Sequence, residues 1–133
     1  MKLLLDTHVL IRWMAEPKKL SKDQFRALEE TVRLRQPVAI SAITLIEIAL
    51  LFTDGSLRIK TATAAGLFYE LSANPTFQIL PLSFEIAEEV LNIGRALRDP
   101  ADRTIAATAR VHGLRVLTSD QRIIESNLVQ TID

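Results

Sequence analysis

Four carboxylates along the chain are placed where they could act together. Asp6 and Asp120 follow short apolar runs, Glu47 lies in the segment after another such run, and Asp102 lies in the first turn of a late helix. Carboxylates that converge without basic partners repel one another and raise each other's pKa values. The usual reason to assemble them is a hard divalent cation, which prefers oxygen ligands. Mg²⁺ or Mn²⁺ is the natural choice, because such ions activate water and stabilise the charge that develops in phosphodiester cleavage.

Glu47 is the most informative of the four because its surroundings are apolar. It is the only charged residue between Gln36 and Thr53, and no lysine or arginine stands three or four positions away to pair with it along a helix. Burying an unpaired carboxylate is costly. Glu47 must therefore reach a base from elsewhere in the fold, stay protonated, extend to solvent or bind a cation, and we favour a cation-binding or catalytic role.

The three aspartates each have a structural explanation as well. Asp6 and Asp120 precede helical segments and could be ordinary N-caps, which accept backbone N–H bonds. Before the late helix, Asp99 has the position of the N-cap and Asp102 the third helical position, where an acidic side chain favours a capping box and the helix dipole. Spacing alone therefore favours a structural role for Asp102 and Asp120 and leaves Asp6 evenly balanced.

Short apolar runs alternate with helical segments, and these elements must position the carboxylates. Strands are predicted at residues 2–5, 38–40, 77–80, 115–117 and 128–132. Helices are predicted at residues 7–15, after a Ser21 cap, at 42–52, at 61–72, after a Ser83 cap and at 100–112. Strands separated by helical crossovers predict an α/β protein, a three-layer α/β/α sandwich with a mostly parallel central sheet of about five strands. Functional residues gather at the carboxyl ends of such strands.

The apolar residues of the helices predict both a core and a partner surface. Buried stripes are expected at Phe25, Leu28 and Val32 in the second helix and at Ile86, Val90, Ile93 and Leu97 in the fifth. The helix at residues 42–52 is apolar nearly all round. Together with a mean hydropathy of +0.18, this indicates more apolar surface than one small domain buries. We therefore expect a homodimer.

The composition limits the classes of protein and of site. The 133 residues favour a single domain over residues 1–133, and 16 basic residues balance 16 acidic ones, so a polyanion has to be bound through a local patch or a metal ion. The absence of cysteine excludes a disulfide framework, a zinc–thiolate site and a cysteine nucleophile. Asp6 interrupts the apolar start too early for a signal peptide, and no apolar segment is long enough to span a bilayer securely, so we expect a cytoplasmic protein that does not bind membranes.

Four motifs, in this order, resemble those of the PIN-domain ribonucleases, particularly the VapC-type toxins of prokaryotic toxin–antitoxin pairs. They are LLLDTHVL at residues 3–10, with Trp13 beyond it, SAITLIEIA at 41–49, RDPADRTIAATA at 98–109 and LTSD at 117–120. The resemblance covers nearly the whole chain. It implies that the four carboxylates are the catalytic metal ligands, which reverses the preference that spacing gives for Asp102 and Asp120. The chain departs from the family's pattern at Ile46, Leu97 and Ala101, which bears on substrate detail.

The resemblance implies a metal-dependent endoribonuclease with Mg²⁺ or Mn²⁺ as cofactor and RNA as substrate. It also implies a cognate antitoxin that blocks the active site, and a dimer is usual in the family. A metal-activated water would attack the phosphodiester in line, with the carboxylates as ligands or as base. Thr7 and Thr118 would support the acidic residues, Thr118 by hydrogen bonding. Four arginines are candidate phosphate contacts, although each taken singly fits a solvated helix face better: Arg12, Arg95, Arg98 and Arg103.

Three other classes of protein share part of this pattern. A haloacid-dehalogenase-like phosphatase needs a second aspartate two residues after the first, where this chain has His8. A phospho-receiver signalling domain needs a late lysine to hold the phosphoryl group, whereas the last lysine here is Lys60. A non-catalytic PIN-fold interaction module has no reason to keep repelling carboxylates together. The endoribonuclease interpretation is therefore preferred.

Overall fold

A parallel sheet forms the centre of the protein in the computed structural model, which describes residues 1–57 and 63–133. Within these residues its five strands are β1 (Leu3–Leu5), β2 (Val38–Ser41), β3 (Phe77–Leu80), β4 (Arg115–Leu117) and β5 (Thr131–Ile132). They lie in the order β3-β2-β1-β4-β5, and every pairing is parallel. Parallel pairing requires crossover connections, which the helices provide. These are α1 (Thr7–Ala15), α2 (Lys22–Arg33), α3 (Ala42–Thr53), α4 (Ala64–Ala73), α5 (Phe84–Ile93), α6 (Pro100–His112) and α7 (Gln121–Ser126), with a 3₁₀ turn at Pro17–Lys19 after α1.

Side chains of β1 point alternately into two cores, one on each face of the sheet. Leu3 and Leu5 belong to the core that α1, α2, α3 and α4 complete. Leu4 packs on the opposite face with Ile105 and Ala109 of α6, and α5 packs on α6 in turn. Helices on both faces confirm the predicted three-layer α/β/α sandwich. Among the described helices, none is long and apolar enough to cross a membrane.

The carboxyl ends of β1 and β4 lie side by side, and the candidate site forms there. Leu5 pairs with Leu117 in register, and the N–H of Asp6 donates to the carbonyl of Leu117 at 3.0 Å. Asp6 and Thr118 therefore leave the sheet next to each other. β2 ends at the same edge, where Ser41 caps α3 by accepting from the N–H of Ile43 at 3.2 Å.

The last predicted strand is shorter than expected. Residues 128–132 were expected to be extended, but only Thr131–Ile132 pairs with β4. The preceding carbonyl of Leu128 accepts from Nη1 of Arg110 at 2.7 Å and so does not take part in the sheet. The predicted start of the fourth helix, at residues 61 and 62, lies outside the described residues. Within them, α4 begins after Thr63, whose hydroxyl accepts from the N–H of Gly66 at 3.0 Å.

The predicted apolar stripe of α2 is confirmed at Leu28, which is buried, and wrong at its two other positions. Phe25 and Val32 are 46% and 47% exposed, whereas the polar Gln24 is fully buried. Its Nε2 donates to Oγ of Ser119 at 3.1 Å and to the carbonyl of Ile132 at 3.3 Å. A buried amide with such partners carries little penalty, so α2 turns this face toward the sheet.

The stripe predicted for α5 is buried, although part of it lies outside the helix. Ile86, Ile93 and Leu97 are all buried, and Val90 packs against the same core. The helix ends at Ile93 because Gly94 takes a positive φ of 58°, and Leu97 reaches the core from the following loop.

Candidate active site

Asp6 lies at the acidic edge of the sheet with both carboxylate oxygens engaged. Its Oδ1 accepts from the backbone N–H of Thr7 at 2.7 Å, which caps α1, and its Oδ2 accepts from the hydroxyl of Thr118 at 2.8 Å. The side chain is thereby fixed in orientation. Burial raises the pKa of Asp6, and the hydrogen bonds from Thr118 and Thr7 offset this rise in part.

Glu47 is half-buried on α3 and is held by α1 rather than by a base. The hydroxyl of Thr7 donates to its Oε1 at 2.5 Å and lies 3.0 Å from the hydroxyl of Thr44. Because a hydroxyl has a single proton, Thr44 must donate to Thr7. Within the described residues, Glu47 forms no ion pair with a lysine or arginine. Burial raises its pKa, and the charges of Asp6 and Asp99 raise it further.

Asp102 lies in the first turn of α6 and has the most strongly shifted carboxyl of the site. Asp99 is the N-cap, as predicted, and accepts from the N–H of Asp102 at 3.0 Å. The expected capping box is not formed, because the Asp102 carboxylate accepts no hydrogen bond from the described residues. Burial, followed by the charges of Asp99, Asp6 and Asp120, raises the pKa of Asp102 to about 7. A capping role therefore does not explain why an acidic side chain stands at this position.

Asp120 caps α7 and is paired with an arginine that the sequence reasoning missed. Its Oδ1 accepts from the backbone N–H of Arg122 at 2.9 Å, and the guanidinium binds both oxygens, Nε to Oδ1 at 3.1 Å and Nη2 to Oδ2 at 2.8 Å. These bonds lower the pKa of Asp120. The same Nη2 lies 3.6 Å from Oδ2 of Asp102, so one guanidinium stands beside two carboxylates.

The four carboxylates influence one another but do not form a ready-made cage. Asp6 raises the pKa values of Glu47 and Asp102, and Asp120 raises those of Asp6 and Asp102. Across residues 1–57 and 63–133, no three acidic or histidine side chains stand close enough to ligate one ion as they are. The all-oxygen donor set fits a hard divalent cation, whose charge would relieve this repulsion. Ligation of one ion by three of the carboxylates would therefore require their oxygens to come closer together.

The candidate phosphate-binding arginines lie in three different places. Arg12 lines a cleft of about 340 Å³ with Asp6 and Asp120, and its Nη1 donates to Ser119 at 3.4 Å. Two further arginines, Arg95 and Arg98, line a second cleft of about 280 Å³ on the Asp102 side. Arg103 is placed differently, because its Nε donates to the carbonyl of Leu97 and so holds the loop before α6.

Comparison with known proteins decides which family has this arrangement. Residues 3–126 match the PIN domain family. The chain belongs to that family. The resemblance drawn from the four motifs is thus confirmed. Ribonuclease VapC22 of Mycobacterium tuberculosis is 33% identical to this PIN protein over 121 residues, which cover 90% of this chain and 88% of the relative.

Solved structures share the PIN fold over nearly the full chain. FitAcB from Neisseria gonorrhoeae is 26% identical and has a TM-score of 0.70, with 98% of this chain and 96% of that chain covered. A toxin–antitoxin complex from Klebsiella pneumoniae is 24% identical and has a TM-score of 0.67, with 99% and 97% covered. At this lower identity the likeness concerns the fold alone.

Three residues of the site were not anticipated from the sequence. Thr44 lies one turn before Glu47 on the same helix, so a search for hydroxyls at that spacing could have found it. Arg122 lies two residues after Asp120, a spacing that lets a long side chain return to its own N-cap. Gln24 has a local signal only for its capping box, in which its Oε1 accepts from the N–H of Ser21 at 3.2 Å. Its other partners, Ser119 and Ile132, are distant in sequence.

Proposed function

We propose that this PIN-domain protein is a metal-dependent endoribonuclease that cleaves RNA phosphodiesters. The observation that carries the proposal is the meeting of Asp6, Glu47 and Asp102 at one sheet edge, each with a raised pKa. A divalent cation offers a physical reason to hold such charges together. The 33% sequence identity to a relative that is named as a ribonuclease supports RNA as the substrate class.

In the proposed mechanism, the residues that would hold Mg²⁺ or Mn²⁺ are Asp6, Glu47, Asp102 and Asp120. When bound, such an ion would activate a water molecule and would stabilise the charge that develops on the phosphate. VapC-type PIN ribonucleases depend on divalent metals in general. The choice between the two ions is our proposal, made because both accept carboxylate and water ligands.

The protein's own groups orient the acids and receive the proton of the attacking water. Thr118 and the N–H of Thr7 fix Asp6, and the Thr7 hydroxyl fixes Glu47. A carboxylate of the cluster that does not ligate the ion would act as the base for that proton. Arg12 on one side, with Arg95 and Arg98 on the other, would bind the phosphates that flank the scissile bond.

We further propose that the protein is the toxin of a toxin–antitoxin pair and is neutralised by a cognate antitoxin. The support is the VapC-type resemblance together with an apolar groove of about 610 Å³ between α3 and α4. Its lining includes Leu45, Ile46, Ala49, Phe68 and Tyr69. A groove of this kind accepts the apolar face of an amphipathic helix. We also propose the homodimer and the cytoplasmic location expected from the sequence.

Incubation of the purified protein with a pool of cellular RNAs tests the catalytic proposal. We expect cut ends in Mg²⁺ or Mn²⁺ and none in EDTA. Glu47→Gln should abolish cleavage and raise the Tm measured in EDTA, because it removes a half-buried charge that lacks a basic partner among the described residues. Glu29→Gln, at an exposed position on α2, is the matched control and should cleave normally. Cleavage in EDTA, or an active Glu47→Gln, would contradict the proposal.

A further inference from the structure

Arg122 places a positive charge inside the acidic site, and none of the roles described above accounts for it. Its guanidinium binds both oxygens of Asp120 at 3.1 and 2.8 Å and lies 3.6 Å from Oδ2 of Asp102. One side chain thus neutralises two carboxylates that otherwise repel each other. A divalent cation that seeks the same oxygens must compete with it.

The site holds the Arg122 side chain only weakly. The side chain is 72% exposed, and solvent and salt screen an ion pair in that setting. A divalent ion brings twice the charge to the same oxygens. Asp120 does not become loose when the guanidinium leaves, because the backbone N–H of Arg122 still donates to its Oδ1 at 2.9 Å.

Arg122 also stands where the two arginine-lined clefts meet. The first cleft contains Arg12, the second contains Arg95 and Arg98, and Arg122 lines both. A guanidinium released from the carboxylates therefore remains between these arginines. Its planar fork of N–H donors suits two-point binding of a phosphate, which a point charge does not provide.

We propose that Arg122 is a phosphate-binding residue whose guanidinium is paired with the acidic site until a divalent ion binds. It pairs with Asp120 and Asp102 in the metal-free protein, a divalent ion displaces it, and the released guanidinium binds the RNA backbone. The inference rests on the proposed function, because it requires a divalent ion and an RNA substrate at this site. It orders the two events, since the contact between Arg122 and RNA forms only after the metal has bound.

Mn²⁺ binding without RNA tests the first step independently of activity. We expect Arg122→Gln to bind Mn²⁺ about two- to fivefold more tightly than wild type, the range for removal of one exposed competing charge. Titration followed by the EPR signal of free Mn²⁺ measures this. Arg122→Lys keeps the charge and should lie closer to wild type. Arg33→Gln is the matched control, because Arg33 pairs with Glu30 through the same two-point geometry outside both clefts, so its Mn²⁺ affinity should equal that of wild type.

Steady-state kinetics on one labelled RNA test the second step. In saturating Mn²⁺, Arg122→Gln should raise KM severalfold and change kcat less, because a phosphate contact is lost while the acids remain. Melting in EDTA checks that each variant is folded. An unchanged or weaker Mn²⁺ affinity of Arg122→Gln, or an unchanged KM, overturns this inference alone. A wild-type protein that binds no Mn²⁺ overturns the proposed function as well.

Discussion

Asp6 caps the N-terminus of α1 and belongs to the acidic site at the same time. Its Oδ1 caps α1 while its Oδ2 receives the hydroxyl of Thr118. Asp120 likewise caps α7 through Oδ1. Sequence spacing treats helix capping and a chemical role as alternatives. A carboxylate can do both, because it has two oxygens with several acceptor positions. A cap position in a sequence is therefore no argument against a chemical role for the same residue.

Asp102 should make the metal-free protein less stable as the pH rises. Its folded pKa of about 7 lies above the ordinary value of 3.8, so between these values the folded state binds more protons than the unfolded state. The free energy of unfolding therefore falls with rising pH over this window. We expect the Tm in EDTA to fall accordingly and Asp102→Asn to flatten the fall. Glu29→Gln, at an exposed position on α2, should leave the slope as in wild type, and an equal slope for Asp102→Asn would show that this carboxyl is not shifted.

Substitution should show that Asp99 has a structural role and that Asp102 has a chemical one. Asp99→Ala removes the bond to the N–H of Asp102, so we expect a loss of about 1 kcal/mol in the free energy of unfolding, the usual cost of deleting a cap. Nuclease activity should remain measurable. Asp102→Asn keeps the shape of the side chain, should cost little stability, and should lose cleavage that excess Mn²⁺ does not fully restore. Melting in chelator and cleavage of one labelled RNA measure both variants. The reverse pattern would assign the chemistry to Asp99.

At the scale of elements, local signals set the ends of most helices and strands. Pro100 at the first position and Gly113, with a φ of 66°, begin and end α6 where the sequence predicts. The rotation of α2 could not be predicted in this way, because apolar periodicity favours Phe25 over Gln24. The decisive bonds of Gln24 reach Ser119 and Ile132, which only the folded chain brings close.

Gln24 should position the loop that carries Asp120. Gln24→Met has a similar volume but leaves Ser119 and the carbonyl of Ile132 without their donor and the N–H of Ser21 without its acceptor. We therefore expect a loss of about 1–3 kcal/mol in the free energy of unfolding. Because that loop also carries Thr118, kcat should fall while KM for RNA changes little. Denaturant unfolding and steady-state cleavage measure the two effects. Gln78→Met, at an exposed position on β3, should change neither, and a stable Gln24→Met with normal kcat would exclude the positioning role.

At the scale of the molecule, strand order assembles the site. Asp6 and Asp120 come together because β1 pairs with β4, the last but one strand in the chain. The four carboxylates could be named from the sequence, since their residue types and motifs are local. Arg122 could not, because its significance depends on the distance between its guanidinium and Asp102, which the packing of α6 and α7 determines.

Two of the apolar surfaces that are exposed in the described part of the chain differ in shape. One is the concave groove between α3 and α4 that includes Ile46, 57% exposed. The other is the outer face of α5, where Phe84 and Leu91 are 91% and 80% exposed and lie two helical turns apart. A groove suits a helix from a partner, whereas a protruding apolar face is satisfied by the same face of a second copy in a two-fold contact.

The face of α5 should therefore form the homodimer. We expect wild type to sediment as a dimer at micromolar concentration and Leu91→Lys to sediment as a monomer, because a two-fold contact would bring the introduced charges of both copies into one apolar interface. Ile46→Lys places the same charge in the groove of α3 and α4 and should remain a dimer. Circular dichroism and the Tm check that both variants are folded. A monomeric wild type would exclude the dimer, and a dimeric Leu91→Lys beside a monomeric Ile46→Lys would move the contact to the groove.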